Sequence, residues 1–95
     1  VRARQNSIGS NIEHLYKLMD GRAEALEFHI QKGSPVIGRP IKDLLLIDNL
    51  LICSIYRKGK PMIPNGQDHM EEDDLVVVVT TKKGLHDVKD ILKRG

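Results

Sequence analysis

The sequence predicts an α+β domain: a small mixed or antiparallel four-stranded sheet with flanking helices. Three observations point there. "LVVVVTT", Leu75 to Thr81, is an unbroken aliphatic and β-branched run bounded by polar residues, the pattern of a buried strand. "EALEFHIQ" alternates, with Leu26, Phe28 and Ile30 on one side and Glu27, His29 and Gln31 on the other, the pattern of a half-buried strand. Stretches near both ends and after Pro40 instead repeat their apolar residues every three or four positions, the spacing of an amphipathic helix.

Taken in order, "SNIE", Ser10 to Glu13, fits a capping box, with Ser10 accepting from the backbone of Glu13 and Glu13 reaching back. Ile12, Leu15, Leu18 and Met19 then mark one helical face, and Gly21 is placed to end it. After the alternating strand, Gly33 and Ser34 break the chain. Pro40 suits a helix start, followed by Ile41, Leu44 and Leu45, and Asp48-Asn49 cuts that helix short. "LLICSIYR", Leu50 to Arg57, is apolar on both faces and reads as a central strand. "KGK" is a turn. "PMIP" is confined to a short or edge strand, because proline has no N–H to donate. Asn65-Gly66 is a further turn. Leu85, Val88, Ile91 and Leu92 define a closing amphipathic helix. Residues 1–22 are thus expected to form a helical lead-in, and residues 23–95 the domain proper.

Composition narrows the function. At 95 residues the chain is one small domain, able to bury somewhat under about 70 % of its unfolded surface. A net charge of +2 is too small to suggest a nucleic-acid partner. No apolar run approaches the roughly 20 residues that a membrane helix needs, and no signal-peptide pattern is present. The chain opens on basic and polar residues without a methionine and is expected to be a piece of a longer protein. The single cysteine, Cys53, excludes an internal disulfide and reads as a small core residue in a reducing cytoplasm.

No catalytic constellation assembles. There is no nucleophile elbow, phosphate loop or dinucleotide fingerprint, so the chain is expected not to be an enzyme. His14, His29, His69 and His86 lack metal-ligand spacing with one another or with Cys53. The acidic stretch Asp68, Glu71, Glu72, Asp73 and Asp74 lacks the alternating ligands and central glycine of a calcium loop, and reads as a solvated turn before a buried strand.

Two features rise above this background. The first is an aliphatic excess from Ile37 to Ile55, more than a thin domain covers alone, which suggests self-association. Ile37, Ile41, Leu44, Leu45 and Ile47 are its candidate contact residues. The second is a basic set of Arg39, Lys42, Arg57, Lys58 and Lys60. Pro40 holds Arg39 extended and stiff, and such an arginine forks readily onto a phosphate or carboxylate. Arg39 and Arg57 are therefore the candidate ligand-binding residues.

The whole pattern, "SPVIGRPIKDL", then "NLLICSIYRKGKPMIP", then "HMEEDDLVVVVT" and a closing helix, resembles the TrkA-C or RCK C-lobe module of bacterial regulators of potassium conductance. Gly38, Ile41 and Leu44 match its helix start. Arg57 matches its strand end, Pro61 or Pro64 its hairpin proline, and Glu72 to Val79 its acidic step into an apolar strand. The resemblance runs from Ala23 onward. It implies a non-catalytic regulatory module in the cytoplasm, peripheral to the inner face of the plasma membrane. Such modules follow a Rossmann lobe that carries NAD or ATP; that lobe is not in this chain, so no cofactor is expected here. They pair two-fold and assemble into a ring that sets the activity of a membrane potassium transporter, while related modules serve antiporters and other hosts. In some members the groove between paired lobes binds cyclic di-AMP, using apolar residues and an arginine just after the short helix. Here that position reads "LLIDNLL", with Asp48 and Asn49 and no arginine. Assembly and coupling are therefore expected rather than anionic-effector sensing, with Arg39 at the rim and no direct contact with nucleic acid or bilayer.

Overall fold

The computed structural model describes residues 12–93. Five strands, β1 (Ile12–Leu18), β2 (Ala23–His29), β3 (Leu50–Arg57), β4 (Lys60–Met62) and β5 (Leu75–Thr80), form one sheet in the order β1-β2-β5-β3-β4. Every neighbouring pair is antiparallel. The helical pieces among the described residues are two 3-10 turns, Ile41–Asp43 and Val88–Ile91, while Met19–Gly21 is a turn with positive φ. The expected four-stranded sheet with flanking helices is thus corrected to five strands with almost no helix.

β5 takes the centre because it is apolar on both faces, and only a central strand uses both. Val76 and Val78 are fully buried on one face, opposite Phe28 and Leu26 of β2 and Ile55 and Ile52 of β3. β4 carries Pro61 and lies at the edge, as proline requires. Lys58 and Gly59 form a two-residue hairpin loop, both with positive φ (51° and 80°).

The helix expected over 12–20 is instead strand β1, and the finding explains why the sequence misleads. Ile12 pairs with Phe28 and Leu15 with Leu26, with a bulge between Ile12 and His14. In a regular strand, residues three apart face opposite ways. The bulge inserts one extra residue, so Ile12 and Leu15 share a face at what looks like helical spacing. β3 does the same: a bulge between Ile52 and Ser54 puts both Ile52 and Ile55 in the core. Cys53, expected in the core, is only half-buried at that bulge. Met19, Asp20 and Gly21, at φ of 52°, 56° and 83°, turn the chain back into β2. An isolated helix of this length is marginal in water, whereas pairing with β2 satisfies the backbone directly. Ser10, of the expected capping box, lies outside the described residues.

The closing helix is corrected likewise. Leu85, Val88 and Ile91 are buried as its apolar face required, but only Val88–Ile91 is helical, capped reciprocally by Asp87 and Asp90. The chain then runs extended against residues 45–47. Ile47 N–H donates to Ile91 O at 2.8 Å and Lys93 N–H to Leu45 O at 2.6 Å. The short helix after Pro40 shrinks to one 3-10 turn with Pro40 at its N-cap, and Leu44 leaves it extended.

All of these irregular segments pack on one face of the sheet. Leu26, Phe28, Ile52, Ile55, Val76 and Val78 meet Ile30, Val36, Leu44, Met70, Leu85, Val88 and Ile91 in a single core.

Candidate functional site: an apolar groove beside the free edge of β3

Residues 37–43 run alongside 66–70. Ile37 bridges Met70 and Pro40 bridges His69, while Ile41 N–H donates to Asp68 O and Lys42 N–H to Gly66 O, at 2.8 and 2.9 Å. Gly38, at φ of 87°, makes the turn that no β-branched residue would tolerate. These pairings set Ile41 against the region where β4 leaves β3. β4 pairs only with Ile55, Tyr56 and Arg57, and the chain then diverges at Ile63-Pro64. Among the described residues no strand pairs with the remaining outer edge, Leu50–Ser54. Between that edge and the diverging chain lies a shallow groove of about 190 Å³, lined by Ile41, Leu46, Leu50, Leu51, Ile52, Pro64, Asn65 and Gly66. No charged side chain lines it.

The expected contact residues scatter across this region. Ile41 lines the groove. Ile47 is half-buried at a separate, more polar pocket of about 510 Å³, beside Asp48, Asn49, Thr81, Lys82 and Lys93. Leu44 is 6 % exposed and belongs to the chain's own core, whereas Leu45 is 67 % exposed. Ile37 is half-buried at the Met70 bridge. Leu46, Leu50 and Pro64 were not anticipated. The available signal was Pro64, whose missing N–H ends β4 early and so leaves β3 unpaired.

The two arginines have different fates. Arg57 Nε donates to Asp74 Oδ1 at 2.9 Å and Nη2 to Oδ2 at 2.8 Å. It also donates to His69 O at 2.8 Å and lies 3.2 Å from Glu71 Oε2. The hydrogen bond to Asp74, together with the surrounding carboxylates, raises the guanidinium pKa above its usual value. Asp74 Oδ2 further accepts the Glu71 N–H, at 2.8 Å. A guanidinium so fully engaged is a structural lock rather than a free ligand anchor. Arg39 is exposed and stands outside the groove lining. Asp48, where the resemblance would want an arginine, is exposed and 3.6 Å from Lys93.

Among the described residues no group of three or more His, Cys, Asp or Glu side chains is placed to hold a metal, and no helix is long and apolar enough to cross a membrane.

Comparison with known families decides the membership. The TrkA-C domain model matches residues 25–93. The chain belongs to the TrkA-C domain family. β1 falls before the matched stretch and supplies the fifth strand. Among curated relatives of this TrkA-C chain, a "Trk system potassium uptake protein TrkA homolog" of Archaeoglobus fulgidus is 35 % identical over 71 residues, 75 % of the chain and 16 % of the relative. A "Trk system potassium uptake protein TrkA" of Azorhizobium caulinodans is 26 % identical over 98 % of the chain and 22 % of the relative. A "K(+)/H(+) antiporter NhaP2" of a Shewanella species is 24 % identical over 76 % of the chain and 12 % of the relative. The chain therefore spans less than a quarter of the length of each of these proteins. Two of these relatives carry the name of a potassium uptake protein and the third that of a potassium/proton antiporter.

Proposed function

We propose that this TrkA-C chain is the non-catalytic regulatory domain of a cytoplasmic potassium-transport subunit. It pairs with a second copy along the free edge of β3 and the adjoining groove, and so helps build a ring that couples to a membrane-embedded transporter. The observation that carries this reading is the uncharged groove beside Leu50–Ser54. An unpaired strand edge offers backbone donors and acceptors to another chain, and the apolar walls at Ile41, Leu46 and Pro64 supply burial next to it. A phosphate-bearing effector finds no cation in that groove, and Arg57 is committed to Asp74. Arg39 alone supports an effector-sensing role, from outside the groove. Any nucleotide cofactor would belong to another part of a longer protein.

The antiporter among the relatives favours a second host for the same module, a cation antiporter in place of a Trk-type system. The assembly role is common to both. Light scattering on the purified chain tests it: an assembly of at least two copies is expected, and Pro64→Asp, at a half-buried groove wall, should remove the groove contact and lower the mass of the assembly. A wild-type chain that stays monomeric at high concentration would overturn the assignment.

A further inference from the structure

The sheet has a second face, and it carries a different surface. Strand alternation and the observed register place Ala25, Leu75, Val77 and Val79 together on the side away from the core, with Tyr16 and Tyr56 towards its flanks and Leu51, opposite Val79, where the face meets the groove. The four central side chains are half-buried only by one another and their neighbours. Tyr16 is 57 % and Tyr56 45 % exposed. Among the described residues the irregular segments pack on the opposite face, and the core they share contains none of these residues.

We propose that this open face is a second self-association surface, packing face to face on the same face of another copy, separately from the groove contact. Charge selects that occupant. The titratable strand residues on the face are His14, Glu27 and His29, besides the two tyrosines. His14 Nδ1 lies 2.9 Å from Glu27 Oε1 and His29 Nε2 lies 3.2 Å from Asp73 Oδ1. Each histidine thus has a carboxylate partner within its own chain. A face that meets its identical copy must carry few charges, each held by a hydrogen bond within its own chain, since any surplus charge would confront itself. A face built for a partner of opposite charge, or for an anionic bilayer, would carry a surplus of one sign, and no lysine or arginine stands on these positions.

The size of the face agrees. Five strands about 4.8 Å apart and about six residues long give a footprint of roughly 20 Å by 20 Å. Two such faces bring together about 800 Å², and side-chain relief takes this toward the roughly 1,000 Å² of a specific interface. Sheets packed this way cross at about −30°, which sets Val77 and Val79 of the two central strands against each other. The contact sits at the small end of specific interfaces, so it is expected to be weak and concentration-dependent.

Sedimentation equilibrium on the 95-residue chain over a wide concentration range, with circular dichroism as a check on folding, reads both contacts. Wild type should assemble past the dimer. Val77→Lys should weaken the higher step at least tenfold and leave the groove dimer. Pro64→Asp should leave a dimer held by the open face. The double variant should be monomeric. Tyr16→Lys, at an exposed position on the outer strand, repeats the test where Val77→Lys disturbs the fold. Variants that fold normally and assemble as wild type would overturn the open-face contact. So would a chain that stops at the dimer and becomes monomeric with Pro64→Asp alone. If instead Pro64→Asp leaves assembly unchanged while Val77→Lys abolishes it, the groove assignment fails and the open-face contact stands.

Discussion

Arg57 and Asp74 form a two-pronged ion pair, 2.9 Å from Nε to Oδ1 and 2.8 Å from Nη2 to Oδ2, across seventeen residues of chain. The Asp74 side chain is 1 % exposed and that of Arg57 25 %. The pair ties the end of β3 to the start of β5, and the Asp74 backbone carbonyl also accepts the Ile30 N–H just past β2, at 2.8 Å. Asp74→Ala removes both prongs of the pair and the acceptor of the Glu71 N–H, leaving Arg57 only Glu71 and the His69 carbonyl, a loss of about 1–3 kcal/mol. Urea unfolding should show a lower midpoint with an unchanged slope. Arg39→Ala, at an exposed site, should stay within about 0.5 kcal/mol of wild type. Because the Arg57 pKa is raised, its contribution is fully present below the unfolded value and is lost only at still more alkaline pH.

Leu44 and Leu45 are neighbours in sequence with opposite environments. Leu44→Ala empties a core site and should cost about 2–5 kcal/mol. Leu45→Ala should cost less than about 0.5 kcal/mol. Thermal melts of the two variants check this, with a shift of more than about 8 °C for Leu44→Ala in a domain of this size.

The β3–β4 hairpin turns on Lys58 and Gly59, both with positive φ. That geometry suits asparagine followed by glycine, while lysine pays a steric cost in the left-handed region. Lys58→Asn should therefore raise stability by about 0.5–1 kcal/mol, and Gly59→Val should lower it. Denaturant midpoints read both effects.

The groove has no cation to take a phosphate. A thermal-shift experiment with cyclic di-AMP should leave the midpoint unchanged. A ligand at about 100 times its dissociation constant would add roughly 2.7 kcal/mol. A shift of ten degrees or so would therefore return Arg39 to the centre of the function.

The groove was partly legible in the sequence. The aliphatic excess from Ile37 to Ile55 covers much of the groove lining, and Ile41 lies in its wall. Composition does not separate Leu44, turned into the core by the 3-10 turn before it, from Leu45, turned out. Nor does it reveal Leu50, which becomes available because β4 ends at Met62 and leaves the edge of β3 unpaired. Arg57 looked like a ligand anchor because its partner, Asp74, lies seventeen positions away in an acidic stretch read as solvated.

The sequence by itself determined the family, strands β2, β3 and β5, the edge character of β4, the turns at Lys58-Gly59 and Asn65-Gly66, and the apolar residues that enter the core at Leu85, Val88 and Ile91. Each of these rests on local information: alternation, β-branching, proline and glycine chemistry. The tertiary structure decided what local spacing leaves open. Ile12 and Leu15 are compatible with one helix face or with one bulged strand face, and the free edge of β2 settles it as a strand. Leu85 to Leu92 is compatible with a helix, but the backbone of residues 45–47 draws its end into extended pairing. Spacing reports which side chains are buried. Which backbone satisfies which depends on the partner that the fold brings alongside.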